Sequence, residues 1–389
     1  MRVRILIKAA FILFFVSLNG PILAAQTLVG GQTPGTYTSF ILPSEVKDIT
    51  FPIKIEVDPG VSSDTFWSNQ FAFDNNHTAY IGMQRDGGNK SIFLWSVWGV
   101  SDYRQDGSLG SWCQRHTEDQ GGISCRISYP WAANHTYLFH VFPSSPQGWY
   151  SASIDDIDGQ GNKITTLNLG SIKIGASGIS SETIGWVEYF EWNNNRTVCR
   201  DNPYSQALFY YPYGHDAHGN KIHAKISGHS LSGTCQSMAK SSTVGDGGLE
   251  RLAIGNSTRH QIHLKDNKTL CIDSNGGLIE NTSIQLYHCK KNTDDLNQAL
   301  TYSADDTLHF TYDYCLAVLP NHQVIVRTCQ SAPEFKWELD PDGHIINEKY
   351  HLSINGYTSS PLYLSKTANV SNQLFDTTAL RKRYKLAGD

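Results

Sequence analysis

Apolar and polar residues alternate in short runs through most of the first 240 positions, and long helix-forming runs are few. In Phe51-Pro-Ile-Lys-Ile-Glu-Val57 the residues Ile53, Ile55 and Val57 alternate with polar neighbours, the period of a half-buried strand. Thr78-Ala-Tyr-Ile-Gly-Met83 and Ser91-Ile-Phe-Leu-Trp-Ser-Val-Trp98 are further β-runs. Asp86-Gly-Gly88 and Asp158-Gly159 supply hairpin-type turns between such runs. A β-sandwich of jelly-roll type over residues 26–238 is the expectation.

Beyond this region the pattern changes to one that returns about every 40 residues, in Cys271 to Gln298, Cys315 to Trp337 and Leu352 to Phe375. Between the two regions Ser241-Ser-Thr-Val-Gly-Asp-Gly-Gly248 is small, polar and without a hydrophobic period, and is read as part of a linker over 239–256. Composition agrees with an all-β chain of two domains: among 389 residues there are 33 Gly, 19 Tyr, 16 Phe and 9 Trp.

Residues 1–25 place Arg2, Arg4 and Lys8 before the apolar run Ala9 to Val16 and end in Ala24 and Ala25, the pattern of a secretory signal peptide. Ser17, Asn19, Gly20 and Pro21 break the run before it reaches the roughly 20 residues of a membrane span. Loss of the three basic residues takes the net charge from −5 to −8, which disfavours a nucleic-acid partner. The eight cysteines are an even set in an exported chain, where disulfides persist, with sequential pairing as the simplest arrangement. No C-x-x-C or H-x-x-x-H spacing occurs, so no metal site and no cofactor is expected. The eight N-x-S/T sequons, Asn76, Asn89, Asn134, Asn195, Asn256, Asn267, Asn281 and Asn369, carry glycans only in a eukaryotic secretory pathway and otherwise mark surface turns.

Candidate chemistry in the first region starts from carboxylates. Glu188 and Glu191 are the catalytic candidates for glycoside hydrolysis, but a spacing of three puts them on opposite faces of one strand unless a bulge intervenes. Asp155, Asp156 and Asp158 precede Gly159-Gln-Gly161 and read as a turn. His215, His218 and His223 lie in a Gly-containing loop and read as solvent-facing. Trp95, Trp98, Trp112, Trp131, Trp149 and Trp192 are either core residues or a sugar-stacking platform.

In the second region, Cys271-Ile-Asp273, Ile284-Gln-Leu-Tyr287-His-Cys289 and Asn297-Gln298 combine a carboxylate, amides and a flat ring. Such groups fix the directions of several hydroxyls while the ring covers the apolar face of a pyranose. This stretch resembles one repeat of the ricin B-type (R-type) lectin β-trefoil. The resemblance covers roughly residues 257–380 and implies a galactose or N-acetylgalactosamine pocket formed by Asp273, Gln285, Tyr287, Asn297 and Gln298. It also implies the disulfides Cys271–Cys289 and Cys315–Cys329. No motif supports Cys113–Cys125 and Cys199–Cys235, and four cysteines permit three connectivities. In the second repeat Cys315-Leu-Ala317 replaces the Asp, and Phe335-Lys-Trp337 replaces the Gln-x-aromatic ending. In the third, Leu352-Ser-Ile354 lacks both Cys and Asp, although Asn372-Gln-Leu-Phe375 keeps the ending. The basic stretch Arg381-Lys-Arg-Tyr-Lys385 opens a solvated tail over 381–389.

Four stretches of the first region, Ala79-Tyr-Ile-Gly-Met-Gln84, Phe93-Leu-Trp-Ser-Val-Trp98, Tyr129-Pro-Trp131 and Gly185-Trp-Val-Glu-Tyr-Phe-Glu-Trp192, resemble the bacterial family of uncharacterised domains DUF3472. That resemblance implies a sandwich and no particular chemistry. The expected whole is a secreted protein, extracellular or periplasmic in transit, with galactose-type glycans or glycoproteins as partners and no membrane span. Its trefoil would bind sugar and target the N-terminal domain. The alternative is a glycan-active enzyme or toxin that uses the trefoil for targeting.

Overall fold

The computed structural model describes residues 35–86, 90–117, 120–190, 196–232, 235–245, 247–252, 257–291, 296–358, 360–382 and 384. The signal-peptide reading, Glu191, Trp192 and most of the basic tail fall outside these residues. The described chain is all-β, and no helix in it is long and apolar enough to cross a membrane.

Among the described residues an eight-stranded and a ten-stranded antiparallel sheet form the N-terminal sandwich. The first runs in the order Lys225–Leu231, Gly35–Ile41, Ile179–Tyr189, Thr65–Phe73, Thr78–Arg85, Ser91–Trp98, Gly122–Ser128, Ser111–His116. Period-two patterning builds the interior. Ile49, Phe51, Ile53 and Ile55 of Asp48–Val57 point one way and are fully buried, as are Trp67, Ile81, Phe93 and Trp95 of the facing sheet. Both runs flanking Asp86 pair as a hairpin, and so do those flanking Asp158. The sequon residues Asn76, Asn134 and Asn281 sit at positive φ of 67, 67 and 65°, a conformation that Asn tolerates in turns.

The reading of 239–256 as a linker is corrected by the structure. Ala239–Val244 and Gly247–Leu252 form a hairpin that extends the ten-stranded sheet beside Ser205–Tyr210. Its glycines serve close approach: a Cβ on Gly247 would come within 2.1 Å of the Phe209 carbonyl, and one on Gly248 within 2.3 Å of the Thr38 hydroxyl. Residues 253–256 are outside the described set.

The C-terminal unit is a β-trefoil with its own core, which includes Ile272, Leu286, Leu316, Val326, Ile354 and Leu364. Its three hairpins are Leu270–Ser274 with Ile284–His288, Tyr314–Val318 with Val324–Thr328, and Leu352–Asn355 with Tyr363–Ser365. They interlock through backbone bonds such as Val326 N–H to the Thr282 carbonyl and Leu362 N–H to the Ile284 carbonyl. Four disulfides join neighbours in sequence, Cys113–Cys125, Cys199–Cys235, Cys271–Cys289 and Cys315–Cys329. The last two close short loops of the trefoil, each worth on the order of 3 kcal/mol by loop-closure entropy.

Sandwich and trefoil meet in a built interface. Arg259, fully buried, donates to the carbonyls of Ser62 and Asp201, while its own backbone pairs with Pro59 and Val61. Gly60 faces it at a φ of 93°, and any Cβ there would strike the Arg259 carbonyl. Asp201, on the sandwich side, accepts the backbone N–H groups of Val198 at 2.9 Å, Tyr312 at 3.0 Å and Asp313 at 3.1 Å. Tyr312 and Asp313 both adopt left-handed backbone, with φ of 61 and 62°, which turns two successive N–H groups toward the one carboxylate.

Candidate carbohydrate-binding site

The three hairpins superpose by register. Ile272 opposite Leu286, Leu316 opposite Val326 and Ile354 opposite Leu364 are the equivalent buried pairs. The next residue is therefore Asp273, Ala317 and Asn355 in turn. This corrects the third repeat, in which Ser353-Ile-Asn355, and not Leu352-Ser-Ile354, matches Cys271-Ile-Asp273. A polar Asn thus occupies the place of the Asp.

Asp273 is the last residue but one of the first strand and is only 2% exposed, which obliges its carboxylate to find partners. The Gln298 side-chain N–H donates to Oδ2 at 2.8 Å, Lys290 Nζ approaches Oδ2 at 3.2 Å, and Gln285 Nε2 lies 3.4 Å from Oδ1. A carboxylate offers about four acceptor sites, so Oδ1 retains capacity for a hydroxyl donor. Tyr287, two residues beyond Gln285 on the same strand face, is 43% exposed and offers a ring for stacking.

Gln298 has a different role from the one expected. It is 1% exposed; its amide N–H groups go to Asp273 and the His288 carbonyl, and its oxygen accepts Lys290 N–H and Gln261 Nε2. All four hydrogen-bonding positions are filled by protein, so Gln298 orients Asp273 and leaves nothing for a sugar. Asn297 is half-buried beside it in the turn Leu296–Gln298. Lys290 escaped the sequence reading, although a basic residue directly after the second cysteine of the repeat was the available signal.

In the second repeat the polar set is replaced as a unit. Ala317, Ile325 and Phe335 stand where Asp273, Gln285 and Gln298 stand in the first, each 1% exposed and packed with the Cys315–Cys329 bridge. Ala317→Asp is accordingly expected to restore no sugar binding and to lower unfolding free energy by about 2 kcal/mol or more, since the new carboxylate meets only apolar groups. Denaturant titration together with sugar titration of the variant checks both outcomes. In the third repeat Asn355 accepts from Asn372 and donates to Ser365 Oγ at 3.0 Å. Gln373 repeats the Gln298 clamp by donating to the Lys366 carbonyl at 3.1 Å and accepting Ala368 N–H at 2.7 Å. That repeat has the clamp without the carboxylate.

The other candidates disperse. Asp155 binds Lys163, Thr166 and His140, Asp156 binds His135 and Tyr129, and Asp158 closes a turn on Gln160 and Asn162. His215 pairs with Asp48, and His223 packs on Tyr213. Trp95 is core, while Trp131 and Trp149 lie under the guanidinium groups of Arg85 and Arg104. Asp340, Asp342 and His344 lie close enough to share an ion. However, Asp340 is taken up by the N–H groups of Gly343 and His344 and by the His344 ring, whose other nitrogen faces the Ala368 carbonyl. Glu188 is half-buried beneath Tyr37, which donates to it at 3.1 Å. Burial pushes its carboxyl up to about 7, against the pull of the Tyr37 hydroxyl and the Trp186 indole.

Residues 259–375 match the model of the ricin-type beta-trefoil lectin domain. No curated protein matches the chain by sequence. Among solved structures, the chain is 22% identical to an agglutinin from Abrus precatorius over 33% of its own length and 48% of that chain, with a TM-score of 0.28. It thus spans about half of that relative. The β-trefoil lectin of Vibrio vulnificus hemolysin/cytolysin is 15% identical over 35% of this chain and 98% of that one, with a TM-score of 0.27. A non-toxic homologue of type II RIPs from Momordica charantia (bitter gourd) is 9% identical over 83% and 98%, with a TM-score of 0.27.

Proposed function

We propose, from the premise that residues 259–375 are a ricin-type β-trefoil lectin domain, that this chain is an exported carbohydrate-binding protein. Its first repeat takes a terminal galactose or N-acetylgalactosamine residue, and its trefoil carries the sandwich to glycan-bearing surfaces. The observation that supports this reading is the Asp273 carboxylate, held between Gln298, Gln285 and Lys290 with the exposed Tyr287 ring beside it. The carboxylate, oriented by Gln298, would fix hydroxyl directions, and the ring would cover the apolar face of the sugar. Four disulfides support export. The sandwich is assigned up to about residue 252 and the trefoil to 257–380.

A glycan array tests the reading directly. Glycans ending in galactose or N-acetylgalactosamine should retain the protein, and those ending in mannose or glucose should not; absence of every galactose-type binder would refute it. Reducing-sugar release measured on each binder separates this reading from that of a glycan-active enzyme, which the raised carboxyl of Glu188 favours. Glu182 shares the face of Glu188 but lies six residues along the strand, roughly 20 Å away and outside the separation that paired carboxylates use.

A further inference from the structure

The outward face of the eight-stranded sheet differs from the polar surface usual for a solvated sheet face. Five consecutive strands each contribute an aromatic ring to it: Tyr37, Trp186, Phe66, Tyr80 and Trp98. Their neighbours in sequence, such as Trp67, Ile81, Val97 and Val187, point into the sandwich core, so the alternation places the five rings on the opposite side. Tyr37 stands across from Trp186. Ring centroids follow at 5.9 Å from Trp186 to Phe66, 5.3 Å from Phe66 to Tyr80 and 4.8 Å from Tyr80 to Trp98, each pair packed edge to face at 89, 76 and 70°.

Small residues make room for this layer. Ser68, Gly82 and Ser96 occupy the positions beneath the rings, and Gly82 has no space for a Cβ, which would come within 2.1 Å of the Trp67 carbonyl. Phe66 and Trp186 form a buried floor, whereas Tyr37, Tyr80 and Trp98 are half-exposed. Polar groups are interleaved with the rings. Glu188 lies two residues beyond Trp186 on the same face and accepts the Tyr37 hydroxyl.

We propose that this aromatic row is a second carbohydrate site, separate from the trefoil, and that it takes an extended neutral oligosaccharide. The half-exposed rings stand on the first, fourth and fifth of five strands at about 4.8 Å spacing, so they span roughly 19 Å with the buried Trp186 and Phe66 between them. That shape suits several pyranose units end to end and is too narrow for the roughly 800 Å² per partner of a stable protein interface. The half-exposed rings of Tyr37, Tyr80 and Trp98, with the Tyr37 hydroxyl and the Glu188 carboxyl beside them, match the apolar faces and hydroxyl edges of such a chain. A net charge of −5 disfavours a nucleic acid as the stacked ligand. Near neutral pH the Glu188 carboxyl, raised to about 7, both donates to and accepts from sugar hydroxyls.

The test uses the full chain carrying Asp273→Ala, which silences the trefoil site, titrated with cellohexaose, xylohexaose and mannohexaose. At least one should bind. Adding Trp98→Ala should weaken that binding by about tenfold. Glu188→Gln and Tyr37→Phe, which keep shape, should each weaken it by at least threefold, with circular dichroism and melting temperature confirming the fold of every variant. No binding by any of the three hexasaccharides, or binding indifferent to all three added substitutions, would overturn the proposal. Failure of the trefoil reading shows elsewhere, as absence of galactose binding by the unaltered protein.

Discussion

Asp273→Ala should weaken galactose-type binding by about ten- to a hundredfold while the protein stays folded. Among the described residues the carboxylate is the one acidic group in the pocket, and hydrogen bonds to a charged acceptor contribute roughly 1.5 to 3 kcal/mol. The substitution also releases the Gln298 amide and the Lys290 ammonium, which converge on Oδ2, so the groups flanking the sugar lose their orientation. Gln298→Ala should reach a similar loss indirectly, because Asp273 would then lack its shortest protein hydrogen bond. Tyr287→Ala removes the stacking ring and should cost about tenfold by itself. Calorimetric titration of the three variants ranks them, and undiminished affinity in Asp273→Ala would move the site elsewhere.

The strand pairing around Asp273 could be read in the sequence because its signals are local. Cys271-Ile-Asp273 and Ile284-Gln-Leu-Tyr287 are two short strands whose alternation fixes which residues share a face. The role of Gln298 could not be read there, since sequence shows an amide but not that four protein groups already occupy it. The third repeat misled by one residue because, with no cysteine to anchor it, only the buried pair Ile354 and Leu364 reveals the register. Gly247 and Gly248 suggested a flexible linker for a related reason. Glycine chosen for close backbone approach and glycine chosen for freedom look alike until the neighbouring Phe209 and Thr38 are placed. The alternation of Asp48–Val57 and Ser91–Trp98, by contrast, carried the sandwich reading directly, because period two has one structural solution when one face is buried.

The second large effect is expected at the junction, where Asp201→Ala should lower unfolding free energy by about 3 to 5 kcal/mol. Three backbone N–H groups, two of them from the trefoil, would be left without their acceptor in a site that excludes water. Tyr312 and Asp313 would also lose the carboxylate that compensates their left-handed backbone. Thermal unfolding should change from one transition to two, as sandwich and trefoil uncouple. The effect should depend on pH with a definite sign. Burial pushes Asp201 up to about 7, against the pull of the backbone amides and Arg259, so the folded state binds a proton that the unfolded state has released between about pH 4 and 7. The stabilising contribution of this group is therefore full below pH 4 and is lost as pH rises to 7. His309, which burial holds down to about 4, acts in the opposite direction between about pH 4 and 6.5. The difference between the protein and Asp201→Ala isolates the carboxylate, and a difference that grows from pH 4 to 7 would contradict the assignment.

The central claim is that the chain carries one galactose-type site in its trefoil, built on the first repeat. Titration calorimetry of the intact protein with methyl galactoside tests it most directly, with one site per chain predicted and none detectable in Asp273→Ala at the same concentrations. Two or three sites per chain, or one site that persists in Asp273→Ala, would contradict it.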